Sequence, residues 1–275
     1  MNKEVKLENW MQRQDGVLVA YSGGVDSAYL AYIGTRVLGR RCVAVTGVSP
    51  SVGDHQLEVA KKVAFRSGFN HRLVETFEID SAAYVQNTGD RCFHCKSELY
   101  KRLLEIGDKD YKGFRLVDGT NADDLSDFRP GRKAASDLGV VSPLAEFGFT
   151  KQEIRERSRL AGLETWDKPA SPCLASRIAD GVPVTIVGLG TVEKGEAILR
   201  RYGFDEFRFR ILGEVARVEI SPREMSAADF DSRLGKASEE LESLGVGKIF
   251  LNLDGFKSGS LNDPESKVRE RMLVG

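Results

Sequence analysis

The residues with the clearest chemical potential are six consecutive ones: Ser22, Gly23, Gly24, Val25, Asp26 and Ser27. They follow an apolar run that ends at Tyr21 and precede a stretch of helical character that begins at Ala28. Two glycines let successive backbone N–H groups point at one anion, and the N-terminus of the following helix adds its dipole. The serine hydroxyls can donate to phosphate oxygens, whereas Asp26 beside an anion implies a bridging Mg²⁺. A tight turn with a serine cap is the alternative, but the full string favours a phosphate-binding loop.

Three of the four cysteines form the second group. Cys92 and Cys95 make a Cys-x2-Cys motif at the start of a predicted helix, and Cys173 lies in a proline-rich stretch. Three thiolates can hold a 4Fe–4S cluster with one iron left open, as a reactive cluster requires. The alternatives are a structural zinc that includes a histidine, for which His94 inside the motif is awkwardly placed, and thiols without metal. A thioredoxin-like redox pair does not suit the surrounding pattern, and Cys42 is expected to be a core thiol.

The elements around these groups alternate between strands and helices. Apolar and β-branched runs predict strands at 16–22, 42–48, 71–76 and 114–118, with helices at 3–12, 28–38, 54–68 and 92–106. This alternation predicts an α/β fold with a doubly wound parallel sheet. Ligands of such sheets bind beyond the carboxyl ends of the strands, which is where the loop that starts at Ser22 lies.

The pattern changes after residue 150. An irregular stretch at 166–183 is followed by helices at 187–202 and 226–244 and by strands at 207–212, 215–220 and 248–253. We therefore expect two domains, 1–165 and 166–275, of which the second is a smaller α+β domain.

Composition narrows the classes of function. The 40 basic residues nearly balance the 41 acidic ones, which disfavours a long nucleic acid as partner because such proteins carry a basic surplus. No apolar run approaches the roughly 20 residues of a membrane span, and the N-terminal residues lack an apolar signal core. A soluble, cytoplasmic protein is the expectation, and four cysteines in 275 residues do not suggest a secreted disulfide scaffold.

The string from Ser22 to Ser27 resembles the PP-loop of the adenine-nucleotide α-hydrolase superfamily. Members of that superfamily cleave ATP between the α- and β-phosphates, and the loop holds the leaving pyrophosphate. The resemblance therefore implies ATP and Mg²⁺ as cofactors, Asp26 as the Mg²⁺ ligand, and adenine near residues 45–48.

Nearly the whole chain is similar to one branch, the LarE-type ATP-dependent sulfur transferases, which make the nickel-pincer cofactor first found with lactate racemase. The similarity rests on Tyr21 to Ser27, Val117-Asp118-Gly119-Thr120-Asn121, Asp127-Phe128-Arg129-Pro130-Gly131, Lys168-Pro169-Ala170-Ser171, Ala175-Ser176-Arg177, Phe207-Arg208-Phe209-Arg210 and Ala216-Arg217-Val218-Glu219. The family adenylates a carboxylate of pyridinium-3,5-biscarboxylic acid mononucleotide and converts it to a thiocarboxylate. The resemblance implies that the first domain is a PP-loop domain that binds ATP. It also implies that the second domain binds the substrate phosphate and mediates assembly into a homo-oligomer, namely a hexamer.

The chain departs from family members that sacrifice the sulfur of a single cysteine. Pro172 stands at the place of that cysteine, Cys173 lies beside it, and the Cys-x2-Cys motif is added. The chain therefore resembles the cluster-bearing variant, in which a sulfide on the open iron is the transferred atom. Repeated turnover would then need a sulfide source as partner.

The remaining candidates are polar residues near these motifs. Lys96 could contact phosphate or the adenylate as charge develops, or it could be a solvated helix lysine. Arg208 and Arg210 would share one strand face and suit a phosphate, and the resemblance adds Ser176 and Arg177 to that site. The alternative is that this strand faces solvent and that its two arginines are merely solvated charges.

Five acidic or amide residues are weaker candidates. Glu196 and Glu219 match acidic positions that the family uses around a substrate or metal site, although a lone glutamate is usually only solvated. Asp118 and Asn121, with Asp124, follow the fourth strand, where they could help to bind the ATP–Mg²⁺ complex or merely shape the turn.

Two other functions compete with this interpretation. One is a PP-loop tRNA thiolase that also carries a three-cysteine cluster, which the balanced charge disfavours. The other is a nucleotide-responsive iron–sulfur or zinc sensor without catalytic activity, which would release no pyrophosphate.

Overall fold

A computed structural model describes residues 2–126, 130–169, 172–257 and 269–275, without the side chains of Ser126 and Pro130. Asp127 to Arg129 and Ala170 with Ser171, which contribute to the family resemblance, lie outside the described residues. The α-helices are α1 Lys3–Gln12, α2 Val25–Leu38, α3 Asp54–Arg66, α4 Ala82–Val85, α5 Arg91–Asp110, α6 Pro130–Asp137, α7 Pro143–Glu146, α8 Lys151–Leu160, α9 Ile186–Arg201, α10 Pro222–Met225 and α11 Phe230–Leu241. The strands are β1 Val17–Ala20, β2 Cys42–Val48, β3 Asn70–Glu75, β4 Arg115–Asp118, β5 Phe207–Ile211, β6 Val215–Ile220, β7 Lys248–Asn252 and β8 Glu270–Val274.

The chain divides into two compact units. Met1–Tyr84 and Gly89–Pro172 form the first, and Val85–Thr88 and Cys173–Gly275 form the second. Residues 166–169 and Pro172, which were predicted to belong to the second domain, belong to the first unit.

The first unit contains a four-stranded parallel sheet in the order β3-β2-β1-β4. Alternate residues of β1 point to opposite faces, so that Val17 and Val19 join one apolar cluster while Leu18 and Ala20 join another. Helices cover both faces because each cluster also contains helical residues. The predicted α/β fold with a doubly wound parallel sheet is confirmed.

The order of the strands reverses at β1. The chain runs from β1 outward to β2 and β3, and then returns to place β4 on the other side of β1. A crevice forms at such a switch point beyond the carboxyl ends of the strands. The loop from Ser22 to Ser27 leaves β1 at this place, so the fold positions the loop at the ligand-binding edge of the sheet.

The second unit contains a mixed sheet in the order β5-β6-β7-β8. Only the β6–β7 pair is parallel among these strands, and α9 and α11 supply apolar residues to the common core. The predicted strands correspond to β5, β6 and β7, whereas β8 was not predicted because its sequence is charged and lacks a clear alternation. The predicted helix at 226–244 begins later, as α11, after the short α10.

A short segment before α5 belongs to the second unit. Asn87 is buried and has a positive φ of 54°. Its amide donates to the carbonyl oxygens of Ala179 and Val182 at 2.7 Å each. These bonds attach residues 85–88 to the loop that precedes α9.

No helix within the described ranges is both long and apolar enough to cross a membrane.

Candidate functional site

Steric contacts require glycine in the loop between β1 and α2. Gly23 has a φ of +76°, and a Cβ added there would lie 2.7 Å from Cβ and 2.9 Å from Cα of Ala60. Gly24 is the N-cap of α2, and Val25 and Asp26 open the helix. The loop therefore packs against α3 and directs the first turn of α2 at the switch point, which is the geometry that an anion-binding N-terminus needs.

The two serines hold the loop from inside. Ser27 Oγ donates to the carbonyl oxygen of Gly24 at 3.2 Å and accepts from the backbone N–H of Ser22 at 3.2 Å. The hydroxyl oxygens of Ser22 and Ser27 are 3.2 Å apart, and Ser22 Oγ accepts from the N–H of Gly24 at 3.3 Å. This bonding shapes the loop before any phosphate arrives.

The segment after β4 presses against the same loop. A Cβ added to Gly119 would lie 2.8 Å from the backbone nitrogen and 3.0 Å from Cα of Ser27. Only a residue without a side chain allows the two backbones to approach so closely. The segment after β4 and the first turn of α2 are thus in direct contact at Gly119 and Ser27.

Among the residues that the structure describes, Asp26 has one cationic partner and one amide partner. Its carboxylate accepts from Lys151 Nζ at 2.5 Å and from Asn121 Nδ2 at 3.4 Å. Lys151 follows the helix cap Thr150, and its backbone N–H donates to Asp123. Lys151 was not predicted as a site residue because it resembles any other charge in a polar helix. Its position directly after the capping residue Thr150 was the available signal.

Asp118 faces inward. Tyr100 donates to Oδ2 at 2.8 Å, Thr120 donates to both carboxylate oxygens, and Ser142 donates to Oδ1 at 2.7 Å. Burial, followed by the nearby Asp118 charge, raises the pKa of Tyr100 well above its ordinary value. The Asp118 carboxylate thus ties α5 and the residue before α7 to the end of β4. Asn121 likewise stabilises the turn after β4, because its Oδ1 accepts from the N–H groups of Asp123 and Asp124.

Cys92 and Cys95 occupy the first turns of α5. They are three residues apart, which places them on one side of the helix; Cys92 is exposed and Cys95 is half-buried. His94 is bonded to Asp90 at 3.1 Å, and Lys96 Nζ lies 5.5 Å from the ring centre of Tyr100.

Cys173 opens the second unit and precedes a 3₁₀ turn, Leu174–Arg177. Its thiol is half-buried, and its carbonyl oxygen accepts from Ser176 Oγ at 2.7 Å and from Arg177 at 3.2 Å. Within the part of the chain that the structure describes, no three Cys, His, Asp or Glu side chains form a group that could hold a metal ion. Cys42 is buried in the core as predicted, and burial raises the pKa of its thiol to about 12.

Charged residues of the second unit form a buried cluster. Arg177 Nε lies 2.8 Å from Glu196 Oε1, and Arg210 Nε lies 2.8 Å from Glu219 Oε2. Arg210 also donates to the carbonyl oxygen of Ser176 at 3.3 Å, and Arg177 donates to Ser176 Oγ at 2.8 Å. The structure therefore brings together five of the residues singled out from the sequence and pairs both glutamates with arginines.

Arg208 completes this arginine–glutamate cluster. Its guanidinium lies 4.6 Å from the ring centre of Phe256 and donates to the carbonyl oxygen of Phe207 at 2.6 Å. Burial and then the charge of Arg177 lower the pKa of Arg208 to about 10. Three guanidiniums against two carboxylates leave one excess positive charge in a poorly hydrated place, and an anion such as a phosphate would neutralise it.

Three known proteins are similar to the chain over more than 90% of its length. The chain is 41% identical over 263 residues to an uncharacterized protein of Synechocystis sp., covering 94% of this chain and 97% of the relative. It is 33% identical over 254 residues to the pyridinium-3,5-bisthiocarboxylic acid mononucleotide synthase of Lactiplantibacillus plantarum, covering 92% and 91%. An uncharacterized protein of Methanocaldococcus jannaschii is 27% identical over 265 residues, covering 94% and 98%. No protein-family model matches the chain.

Proposed function

Because the chain belongs to the family of pyridinium-3,5-bisthiocarboxylic acid mononucleotide synthases, the LarE-type sulfur transferases, we propose that it catalyses ATP-dependent sulfur transfer in nickel-pincer cofactor biosynthesis. The observation that carries the proposal is the loop from Ser22 to Ser27, which is shaped by its own hydrogen bonds at the switch point of a parallel sheet. The substrate is pyridinium-3,5-biscarboxylic acid mononucleotide, and the second substrate is ATP.

The first step activates a carboxylate. A carboxylate oxygen of the substrate attacks the α-phosphorus of ATP, a new O–P bond forms, and the bond to the β-phosphate breaks. Pyrophosphate leaves into the loop, where the N–H groups of Gly23, Gly24 and Val25 and the serine hydroxyls would donate to it. The product is an acyl adenylate, in which AMP is a good leaving group.

Asp26 is the residue that would hold Mg²⁺. Mg²⁺ is usually bound by one or two carboxylates together with the phosphates of the substrate, and Asp26 supplies such a carboxylate at the start of α2. When bound, the ion would neutralise charge on the phosphates. Lys151 keeps the carboxylate of Asp26 in place and offers a second positive charge beside the loop. Asn121 and Asp118 would act by fixing the walls of the ATP site rather than by touching phosphate.

The arginine–glutamate cluster would bind the phosphate of the mononucleotide. Arg208 carries the desolvated charge, while Arg177 and Arg210 are held by their glutamates and by Ser176. Such preorganised guanidiniums suit a dianionic phosphate. Glu196 and Glu219 would then serve as counter-charges that keep the arginines aligned.

The second step replaces AMP by sulfur. A sulfur nucleophile attacks the acyl carbon, a C–S bond forms, and AMP takes the electron pair of the broken C–O bond. Lys96 would stabilise the charge that develops on the phosphate.

Cys92, Cys95 and Cys173 would hold a 4Fe–4S cluster. This assignment rests on the Cys-x2-Cys motif and on the family resemblance: Cys92 and Cys95 share one side of α5, while the side chains that the structure describes form no group of three metal ligands. When bound, a cluster with only three thiolate ligands would supply the transferred sulfur as a sulfide on its open iron. Pro172 at the position of the sacrificial cysteine agrees with a sulfur source outside the chain.

The test is a reaction under anaerobic conditions with ATP, Mg²⁺, sulfide and the dicarboxylate mononucleotide. We expect AMP and pyrophosphate in equal amounts together with a thiocarboxylate. Asp26→Asn should abolish AMP formation with unchanged iron content, whereas Cys92→Ala, Cys95→Ala or Cys173→Ala should abolish thiocarboxylate formation and lower the iron content. Cys42→Ala is the matched control, since it removes a thiol from the core and should change neither.

Four results would contradict the proposal. A thiocarboxylate yield that is unchanged in all three cysteine variants would refute the role of the cluster. Metal analysis that finds one zinc per chain instead of iron would show that the cysteines bind zinc. Labelled tRNA retained on a filter would favour the tRNA thiolase. Nucleotide binding without any pyrophosphate release would favour the sensor.

Sedimentation of the purified protein as a hexamer would support the expected homo-oligomer.

A further inference from the structure

A groove of about 520 Å³ lies along one side of α8 in the first unit. The helix lines it with Lys151, Arg155 and Arg159, which recur every four residues and therefore share one side of the helix. Trp166, which follows the helix, supplies an aromatic wall with 40% of its surface exposed. The groove thus combines a row of cations with the face of an indole ring.

The groove begins at the ATP site. Lys151 lines the groove and also binds the carboxylate of Asp26 in the phosphate loop. A molecule in the groove that reached Lys151 would therefore be next to the residues that hold the phosphates of ATP. This is where the carboxylate to be adenylated must lie.

The backbone that carries Trp166 is bonded to α8. Arg155 donates to the carbonyl oxygen of Trp166 at 2.7 Å and to that of Lys168 at 2.9 Å. These two bonds attach the segment around Trp166 to α8. A ring that stacked on Trp166 would meet a preformed surface, which lowers the entropic cost of binding.

The charges in the groove are mixed. Besides the three basic residues, Glu156 and Asp167 contribute two carboxylates. Carboxylates in this position oppose a compact polyanion such as pyrophosphate, but they favour a ligand that carries both signs. A pyridinium dicarboxylate has this character, because its ring is cationic and its two substituents are anionic.

We propose that the groove between α8 and Trp166 binds the pyridinium dicarboxylate ring of the substrate, an inference that rests on the proposed function. The ring cation lies on the indole of Trp166, since a cation over tryptophan is stabilised by the ring quadrupole. One carboxylate reaches Lys151, where it meets ATP, and the other is paired with Arg155 or Arg159. The cations repeat about every 6 Å along the helix, a spacing similar to that of two carboxyl groups in meta positions on one ring.

The binding test uses two probes of nearly equal shape. N-Methylpyridinium-3,5-dicarboxylate carries the ring charge, and benzene-1,3-dicarboxylate lacks it. We expect calorimetry to show that the wild-type chain binds the pyridinium probe about tenfold more tightly. Trp166→Ala should remove this preference, and Trp166→Phe should retain most of it because the ring is kept. Leu160→Ala, at an exposed residue at the end of the same helix, is the matched control and should keep the preference.

Steady-state kinetics separate this inference from the proposed function. With ATP and the full dicarboxylate mononucleotide, Trp166→Ala should raise KM for the mononucleotide about tenfold and leave KM for ATP unchanged. If the wild type forms AMP but Trp166→Ala has an unchanged KM for the mononucleotide, the groove assignment is wrong and the proposed function still stands. Equal affinity of the wild type for both probes also overturns the groove assignment. Weaker binding of pyrophosphate to Trp166→Ala than to the wild type overturns it as well, because the groove would then bind the leaving pyrophosphate. No AMP from the wild type would overturn the proposed function itself.

Discussion

The buried pair of Arg210 and Glu219 allows a quantitative prediction about the second unit. Glu219 is 0% exposed and Arg210 is 5% exposed, with 2.8 Å between Nε and Oε2. Glu219→Gln keeps the shape of the side chain but leaves the guanidinium without its counter-charge, and the net positive charge of the cluster increases from one to two. Removing one partner of a buried pair costs about 3–5 kcal/mol, so we expect a loss of that size in the stability of the second unit.

The assay is hydrogen exchange of the backbone amides in β5 and β6, because both tryptophans, Trp10 and Trp166, belong to the first unit and would not report on the second. The double variant Arg210→Gln with Glu219→Gln should lose less than the sum of the two single variants, since no unpaired charge remains. Arg271→Gln is the control: it breaks an exposed pair with Asp231 in the same unit and should cost no more than about 1 kcal/mol. If Glu219→Gln also costs less than that, or if the two single losses add in the double variant, the assignment of Glu219 as a counter-charge is wrong.

Three further predictions concern single residues. Gly119→Ala should destabilise the first unit by about 1–3 kcal/mol in urea titrations and raise KM for ATP, because the new Cβ would lie 2.8 Å from the backbone nitrogen of Ser27. Gly107→Ala is the control in both assays, because its new Cβ would lie 3.4 Å from the nearest neighbouring atom. Burial lowers the pKa of His71 below its ordinary 6.5, so unfolding takes up a proton in that range and stability must fall as the pH drops below about 6.5. Urea titrations from pH 8 to pH 5 should therefore show a flatter pH dependence for His71→Gln, and an identical slope would contradict this. Asn87→Ala should cost about 1–3 kcal/mol because carbonyl groups in the loop before α9 lose their donor, and faster proteolysis at residues 178–184 would reveal it.

Local chemistry accounts for much of what could be predicted from the sequence. Strand β2 has the predicted bounds 42–48, because a run of small and β-branched apolar residues is compatible with a strand covered on both faces. The string from Ser22 to Ser27 predicts a strand-to-helix loop, since the conformations that its glycines and serines prefer depend mainly on neighbours in the chain. Strand β8 escaped prediction because a short, charged edge strand is specified mainly by its partner β7.

The roles of individual polar residues depended on distant contacts. Asp118 could be placed at the ligand edge from the sequence, but only the fold shows that Tyr100, Thr120 and Ser142 use its carboxylate. Lys151 and Asp26 are 125 positions apart, and no local pattern relates them.

The sequence by itself determined the alternation of strands and helices, the glycine-containing loop after β1 and the family, because these features depend on residues that are close in the chain. Only the tertiary structure decided which carboxylates remain available for ligands and which neutralise a neighbouring charge. Glu196 and Glu219 looked like solvated residues or metal ligands, yet each pairs with a buried arginine. The physical reason is that the fate of a charged group depends on its burial and on its partners in space, and both are set by the packing of elements that are remote in the sequence.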